Sequence, residues 1–108
     1  MSTSFKSMIL GAGMAACLLP ATAFAQDSLE AGKKVFTQTA APACAVCHTL
    51  KHAGSTGEIG PSLDELKPDA SRVEKAVRNW IGQMAAFAAL SADDIKAVSQ
   101  YVAAVAGK

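Results

Sequence analysis

The chain has 108 residues, which is enough for one domain. Its 10 Lys and Arg residues are nearly balanced by 9 Asp and Glu residues, which gives a formal net charge of +1. This balance excludes the strongly basic surface that nucleic-acid binding requires. Apolar residues make up 51% of the sequence, but the N-terminal segment inflates this value and is best considered separately.

The first 25 residues have the pattern of a secretory signal peptide. Lys6 supplies a positive charge, residues 8–19 are apolar, and residues 23–25 read Ala-Phe-Ala, a small-x-small cleavage signature. The apolar run is too short to cross a bilayer as a helix, which argues against the alternative of an uncleaved anchor. We therefore predict a cleaved signal peptide at residues 1–25 and a periplasmic domain without a stable membrane anchor at residues 26–108.

Cleavage would leave 108 − 25 = 83 residues with nine basic and nine acidic side chains. A domain of this size often needs a covalent staple or a cofactor for stability. Cys17 lies in the leader, where a lipoprotein cleavage site is an alternative, but the apolar residues that follow it argue against a lipid anchor. Cys44 and Cys47 remain, and in an oxidising compartment they could form a disulfide, half of a metal site or a haem attachment.

The periodicity of the predicted mature chain indicates an all-α fold of three to four helices joined by loops, with no convincing strand. The first helix is expected from Ser28 to Gln38, with Ser28 as its N-cap and the acidic Glu30 in its first turn. An apolar stripe on one face of this helix is formed by Leu29, Gly32, Val35 and Phe36.

Residues 44–48 read Cys-Ala-Val-Cys-His, the C-x-x-C-H signature of covalent haem attachment. The spacing lets one turn of helix carry both thiols to the two haem vinyl groups, where they form thioethers. His48 follows at once, so its imidazole can serve as the proximal ligand of the iron. The motif therefore predicts one haem c, bound covalently through Cys44 and Cys47.

Three other uses of this motif agree less well with the sequence. A thioredoxin-like redox site needs a βαβ framework, and no strand pattern provides one. A structural zinc site needs four nitrogen or sulfur ligands, usually in separated pairs. The candidate zinc ligands all fall within a nine-residue stretch: Cys44, Cys47, His48 and His52. A plain disulfide would not require the histidine that follows the second cysteine.

The ten residues before Pro61 contain three glycines, and they are expected to form a loop that ends in a Gly60-Pro61 turn. A short helical turn is expected next, at residues 62–66. Its two leucines, Leu63 and Leu66, are expected to face inward.

The following helix is expected after Pro68. Residues 71–74 read Ser-Arg-Val-Glu, which has the form of a capping box, and the helix should run to about Ile81. Its predicted buried face consists of Val73, Val77, Trp80 and Ile81. As the only tryptophan, Trp80 is interpreted either as an ordinary core aromatic or as a contact of the haem edge.

Met84 is the only methionine outside the predicted leader. It lies between two predicted helices in a segment of small residues, where backbone can approach a flat ligand. Because the iron of an electron carrier usually takes Met or His as its second axial ligand, Met84 is the candidate distal ligand. The alternatives are His52, an open or water-bound iron, and a core-filling role for the methionine. His52 would lie on the same side of the haem as His48 if both were on one short helix.

The last helix is expected to begin at Ser91, which is followed by acidic residues in the first turn, and to end at Gly107. Apolar side chains recur along it at helical spacing: Ile95, Val98, Tyr101, Val102 and Val105. The helix is long enough to lie across the first one. Gly32 would let the two backbones approach, with Phe36 and Tyr101 on either side.

The haem motif, the glycine-proline turn, the methionine segment and the terminal helix together resemble a class I cytochrome c of the small bacterial type. The resemblance covers about residues 29–104. One departure concerns the distal loop, where many relatives have Met-Pro-Ala-Phe and residues 84–87 here read Met-Ala-Ala-Phe. Without the proline, the unfolded loop has more conformational freedom, which weakens the hold on Met84.

This resemblance implies the cytochrome c fold, wrapped around one covalent haem. It assigns Cys44 and Cys47 to haem attachment, His48 to the proximal position and Met84 to the distal position. It also implies that the carbonyl of Pro61 accepts a hydrogen bond from the imidazole of His48, which orients the ring and raises its donor strength.

The function implied by the resemblance is that of an electron carrier, not an enzyme, acting between an upstream dehydrogenase and a downstream oxidase or cytochrome. Residues 44–51 and 63–69 are similar to the haem subunits or electron acceptors of periplasmic sulfite dehydrogenases. Lys33, Lys34 and Lys51 are candidates for a transient docking surface. The alternatives are a permanently bound haem subunit of a larger oxidoreductase, and a small haem peroxidase or sensor with an open iron site.

Overall fold

The computed structural model describes residues 11–15 and 21–108. The leader residue Lys6 and the alternative lipid site at Cys17 lie outside the described residues. Residues 11–15 have no regular secondary structure, and the predicted cleavage site lies within the first helix. No helix in the described ranges combines the length and the apolar character needed to cross a membrane.

The described chain contains five α-helices and a short antiparallel β-ladder. The elements are α1 (Ala21–Lys34), α2 (Cys44–Cys47), β1 (Thr49–Leu50), β2 (Ser55–Thr56), α3 (Leu63–Leu66), α4 (Ala70–Arg78) and α5 (Ala92–Val105). A π-helical turn (Val35–Thr39) follows α1 directly, and a 3₁₀ turn (Lys51–Ala53) joins the two strands. The mostly helical architecture confirms the all-α prediction. The expectation of no strand is wrong for the four residues of the ladder.

Helix α1 begins at Ala21, so the predicted start at Ser28 is wrong and Ser28 lies inside the helix. Residues 21–27 include three alanines and neither glycine nor proline. Because alanine has the strongest preference for helix, nothing in this segment ends the helix before Ser28. At the other end, the N–H of Ala40 donates to the carbonyl of Val35 at 3.1 Å, which closes the wider π-helical turn.

Helices α1 and α5 cross at Gly32, as predicted. A Cβ added at Gly32 would overlap the Cβ of Tyr101 and the carbonyl oxygen of Ala97, so only glycine allows this approach. The rings of Phe36 and Tyr101 meet edge to face, with their centroids 6.2 Å apart. The core around this crossing consists of Val35, Phe36, Leu50, Leu63, Val98, Tyr101, Val102, Val105 and Ala106.

Two predictions about α3 and the start of α4 need correction. In α3, Leu63 is buried as expected, but Leu66 is 36% exposed, because a single helical turn directs only one of its leucines into the core. Helix α4 is capped by Asp69, whose carboxylate accepts a hydrogen bond from the N–H of Arg72 at 2.7 Å. The predicted capping box at Ser71 therefore lies within the first turn of the helix.

The end of α4 is also earlier than predicted, at Arg78. Asn79 has an extended backbone (φ −118°, ψ 149°), so the residues after it leave the helical face. As a result Trp80 is 72% exposed and Ile81 is 58% exposed, whereas Val77 is buried. The prediction that Trp80 and Ile81 belong to the buried face of this helix is wrong.

Helix α5 begins as predicted with a capping box. Ser91 accepts a hydrogen bond from the N–H of Asp94 at 3.0 Å, and the Asp94 carboxylate accepts one from the N–H of Ser91 at 3.4 Å. The chain turns after α5 at Gly107, which has a φ of 76°. The carboxylate of Asp64 in α3 holds this end, because it accepts hydrogen bonds from the N–H groups of Gly107 (2.8 Å) and Lys51 (2.7 Å).

Candidate haem-binding site

Helix α2 is a single turn that contains both predicted attachment cysteines. Cys44 and Cys47 are its first and last residues, so their side chains lie on the same side of the turn. Both thiols are free and partly buried. Burial raises the pKa of the Cys44 thiol to about 11. The N–H of His48 donates to the carbonyl of Cys44 at 3.0 Å, so the histidine follows directly from the turn that carries the thiols.

The imidazole of His48 is oriented by the chain itself. Its Nδ1 lies 2.8 Å from the carbonyl oxygen of Pro61, which can only accept, so Nδ1 is the donor, and in the neutral imidazole the free lone pair is on Nε2. The ring packs against Gly60, where an added Cβ would lie 2.5 Å from Cε1 of the imidazole. The N–H of Gly60 donates to the carbonyl of Cys47 at 2.7 Å. The resemblance implied this contact between His48 and Pro61, and the structure contains it.

A buried serine, for which no sequence pattern predicts a role, fixes the backbone beside His48. The Ser55 hydroxyl donates to the carbonyl of His48 at 2.8 Å and accepts from the N–H of Leu50 at 3.0 Å. Nearby, the Thr49 hydroxyl donates to the carbonyl of Gly57 at 2.9 Å. The β-ladder, which pairs Thr49 with Thr56 and Leu50 with Ser55, brings these groups together.

Met84 closes a tight turn between α4 and α5. The N–H of Ile81 donates to the carbonyl of Met84 at 3.1 Å, and the N–H of Met84 donates to the carbonyl of Ile81 at 2.9 Å. Gly82 has a φ of 54°, which a glycine adopts without strain. The indole N–H of Trp80 donates to the carbonyl of Gly82 at 2.9 Å. The methionine is half-buried and its backbone is well defined by this turn.

His52, the rival candidate for the distal ligand, is engaged elsewhere. Its Nδ1 lies 2.8 Å from the hydroxyl of Tyr101, and the two rings meet edge to face at 5.4 Å. Burial raises the pKa of Tyr101 to about 12. This pair ties the 3₁₀ turn after the haem motif to the middle of α5.

The surface around these segments fits a flat apolar cofactor. Apart from Met14 in the predicted leader, four large apolar side chains of the described residues are more than half exposed: Val46, Ile59, Trp80 and Ile81. Each lies within four residues of Cys47, Pro61 or Met84 in the sequence. Exposed apolar side chains concentrated in this way mark a ligand-binding or interaction surface. Together with the paired thiols and the free Nε2 of His48, they supply what a covalent haem needs.

Comparison with known proteins agrees with this chemistry. The family model described as "Cytochrome C oxidase, cbb3-type, subunit III" matches residues 27–102. The chain belongs to this family of c-type cytochromes. Among solved structures, it is similar to the c-type cytochrome SorU from Sinorhizobium meliloti, with 52% sequence identity and a TM-score of 0.75. That match covers 77% of this chain and 95% of SorU. No curated protein sequence gives a significant match.

The family confirms the resemblance to a small monohaem cytochrome c and the prediction of an all-α cytochrome c fold. The cofactor of this cytochrome is covalently bound haem c, and Cys44 and Cys47 fit its C-x-x-C-H attachment motif. The structure brings His48 and Pro61 together, and it places Trp80 against the turn that carries Met84.

Proposed function

We propose that this cytochrome is a periplasmic carrier of single electrons, exported by a signal peptide at residues 1–25 and not itself an enzyme. The observation that supports this most directly is the Cys-x-x-Cys-His turn with its imidazole already oriented by the carbonyl of Pro61. Bound haem supplies one-electron chemistry, because its iron cycles between the ferrous and ferric states. In this proposal the chain attaches the haem through Cys44 and Cys47.

His48 is the proximal ligand in this proposal. Because its Nδ1 donates to the Pro61 carbonyl, the ring presents Nε2 as an electron-pair donor with a fixed orientation. The hydrogen bonds of Gly60 and Ser55 to the carbonyls of Cys47 and His48 hold the backbone on either side. A ligand fixed in this way keeps its position when the charge at the iron changes, which favours rapid electron transfer.

Met84 is the distal ligand in this proposal. It is the only methionine in residues 26–108, and His52 is hydrogen-bonded to Tyr101. Methionine paired with histidine raises the reduction potential relative to two nitrogen ligands. The thioether is presented by a turn that closes on itself through the bonds between Ile81 and Met84.

The partners in this proposal are an upstream sulfite dehydrogenase and a downstream oxidase or cytochrome. The similarity of residues 44–51 and 63–69 to the haem subunits or acceptors of such dehydrogenases supports this donor. Lys34 and Lys51 are exposed and Lys33 is partly exposed, so all three can meet a partner's carboxylates in a transient complex. The match to SorU, which covers 95% of that c-type cytochrome, supports the haem-based part of this proposal.

The ligand set is tested with holoprotein made in a host that attaches haem. We expect wild-type ferric protein to show the weak absorption band in the red that reports iron–sulfur ligation, and Met84→Ala to lose it. The reduction potential of the variant should fall by on the order of 0.1 V, within the ~0.8 V range that axial ligands set. Retention of the band in Met84→Ala, or rapid binding of carbon monoxide by wild-type ferrous protein, would refute distal ligation by Met84.

The carrier function is tested by mixing oxidised cytochrome with a sulfite dehydrogenase and sulfite in a stopped-flow instrument. We expect reduction within the turnover time of the enzyme, and an apparent mass near that of one chain in gel filtration. Co-elution of the native periplasmic protein with a larger enzyme would instead identify a permanently bound subunit.

A further inference from the structure

The indole of Trp80 makes a contact that a core aromatic or a simple haem contact does not require. The side chain is 72% exposed, yet its Nε1–H donates to the carbonyl of Gly82 at 2.9 Å. We infer that Trp80 is a positioning residue for Met84, since its indole clamps the turn that carries the methionine. This inference rests on the proposed ligation of the iron by Met84.

The clamp acts at the most flexible point of the turn. Residues 81–84 form a four-residue turn whose ends are closed by the two hydrogen bonds between Ile81 and Met84. Gly82 is its second residue, with φ at 54°, and glycine has more accessible backbone conformations than any other residue. The bond from Trp80 holds the carbonyl of this glycine, so it restrains the peptide plane that follows and with it the direction in which Met84 leaves the turn.

The rest of the distal segment is held weakly. Among the described residues, the backbones of Ala85 and Ala86 make no hydrogen bond, and the next attachment is the bond from the N–H of Phe87 to the carbonyl of Val77 at 2.9 Å. The residue after the methionine is Ala85, which restrains the backbone less than a proline would. The indole bond therefore supplies, on the N-terminal side of Met84, a restraint that proline would supply on its C-terminal side.

The test measures how easily the methionine leaves the iron. Imidazole is added to ferric holoprotein, and the rate of its binding is followed together with the red absorption band. Trp80→Phe keeps an aromatic ring but removes the N–H. Because one exposed hydrogen bond is lost, imidazole should bind roughly two- to tenfold faster. The exposure of Trp80 means that the variant is expected to fold, and circular dichroism provides the check.

Asn79→Ala is the matched control. The side-chain amide of Asn79 donates to the carbonyl of Lys75 at 3.0 Å, so it makes a bond of the same kind and length that points back into α4. Its removal loosens the end of that helix without touching the turn, and the rate of imidazole binding should stay at the wild-type value.

The outcomes separate the inference from the proposed function. If Trp80→Phe binds imidazole at the wild-type rate, or if Asn79→Ala accelerates binding equally, Trp80 has no positioning role. If wild-type ferric protein lacks the red band, distal ligation by Met84 itself is wrong, and the inference fails with it. A selective acceleration in Trp80→Phe, with the band present in the wild type, supports both.

Discussion

The two loops that flank the candidate haem site are held in different ways. On the proximal side, the ring of His48 is bonded to the carbonyl of Pro61, and its backbone carbonyl is bonded to Ser55. On the distal side, the hydrogen bonds reach only the backbone of Met84, through Ile81. A thioether is a weak acceptor, so no comparable bond can orient its sulfur. The chain therefore orients the histidine before the iron binds, whereas the methionine depends on its turn.

This difference predicts unequal effects of ligand-loop changes, and Gly60→Ala should give the largest. Its Cβ would lie 2.5 Å from Cε1 of His48 and 2.8 Å from Nδ1, so the ring or the loop must move. We expect a loss of about 3 kcal/mol in the free energy of unfolding and a shift in the reduction potential.

Gly82→Ala is the matched change in the distal turn. An added Cβ there meets nothing within 4 Å, and the cost arises only from the left-handed backbone, about 1–2 kcal/mol. The measurements are chemical denaturation and potentiometric titration of both holoproteins. Equal losses of stability in the two variants would contradict the view that the proximal loop is the more tightly fitted.

Ser55→Ala should give the next largest effect. Ser55 is buried, and its removal leaves the N–H of Leu50 without its partner in the core, which costs about 1–3 kcal/mol. Because His48 also loses the bond to its carbonyl, the potential should shift while the rate of imidazole binding on the distal side stays constant. Thr39→Val, which removes a long 3.5 Å bond at an exposed position, is the control and should leave both values unchanged.

The sequence predicts the structural role of a residue only where a short motif or a helical periodicity indicates it. The cap at Ser91 and the crossing at Gly32 follow from short spacings and helical periodicity, and both were predicted. The prediction that Trp80 lies on the buried face is wrong because the helical periodicity of α4 does not continue past Asn79, where the backbone becomes extended.

The role of Ser55 could not be predicted in this way. Its partners are fixed by the closure of a glycine-containing loop, and neither hydropathy nor spacing encodes which carbonyl a loop serine will meet. The same holds for Asp64, whose carboxylate joins Lys51 and Gly107, 13 and 43 residues away in the sequence.

The hydrogen bonds of the Asp64 carboxylate should make the free energy of unfolding depend on pH in the acid range. The backbone N–H groups of Gly107 and Lys51 hold the pKa of its carboxyl below its usual range. A lowered pKa in the folded state means that the stabilisation is fully present above the unfolded value of about 4, and is lost as the pH falls below it. Asp64→Asn should therefore lower stability by about 1 kcal/mol at neutral pH, a value that allows for solvent screening.

The difference between wild type and Asp64→Asn should shrink when unfolding is measured below about pH 4. Glu58→Gln removes a carboxylate charge from an exposed loop side chain that makes no hydrogen bond or ion pair among the described residues, and it serves as the control. A stability difference for Asp64→Asn that is constant across this pH range would show that its two hydrogen bonds do not depend on ionisation.

Ala85→Pro should give the smallest effect, and it acts in the opposite direction, because it tightens the distal turn. Among the described residues the N–H of Ala85 makes no hydrogen bond, so proline removes no contact there. Reduced freedom of the unfolded loop is worth about 0.4–1 kcal/mol, which corresponds to imidazole binding roughly two- to fivefold more slowly. Ala85→Gly should change the rate in the other direction. If the proline variant binds imidazole faster than wild type, the distal turn is not the weaker of the two attachments, and the contrast between the loops must be explained by the ligands alone.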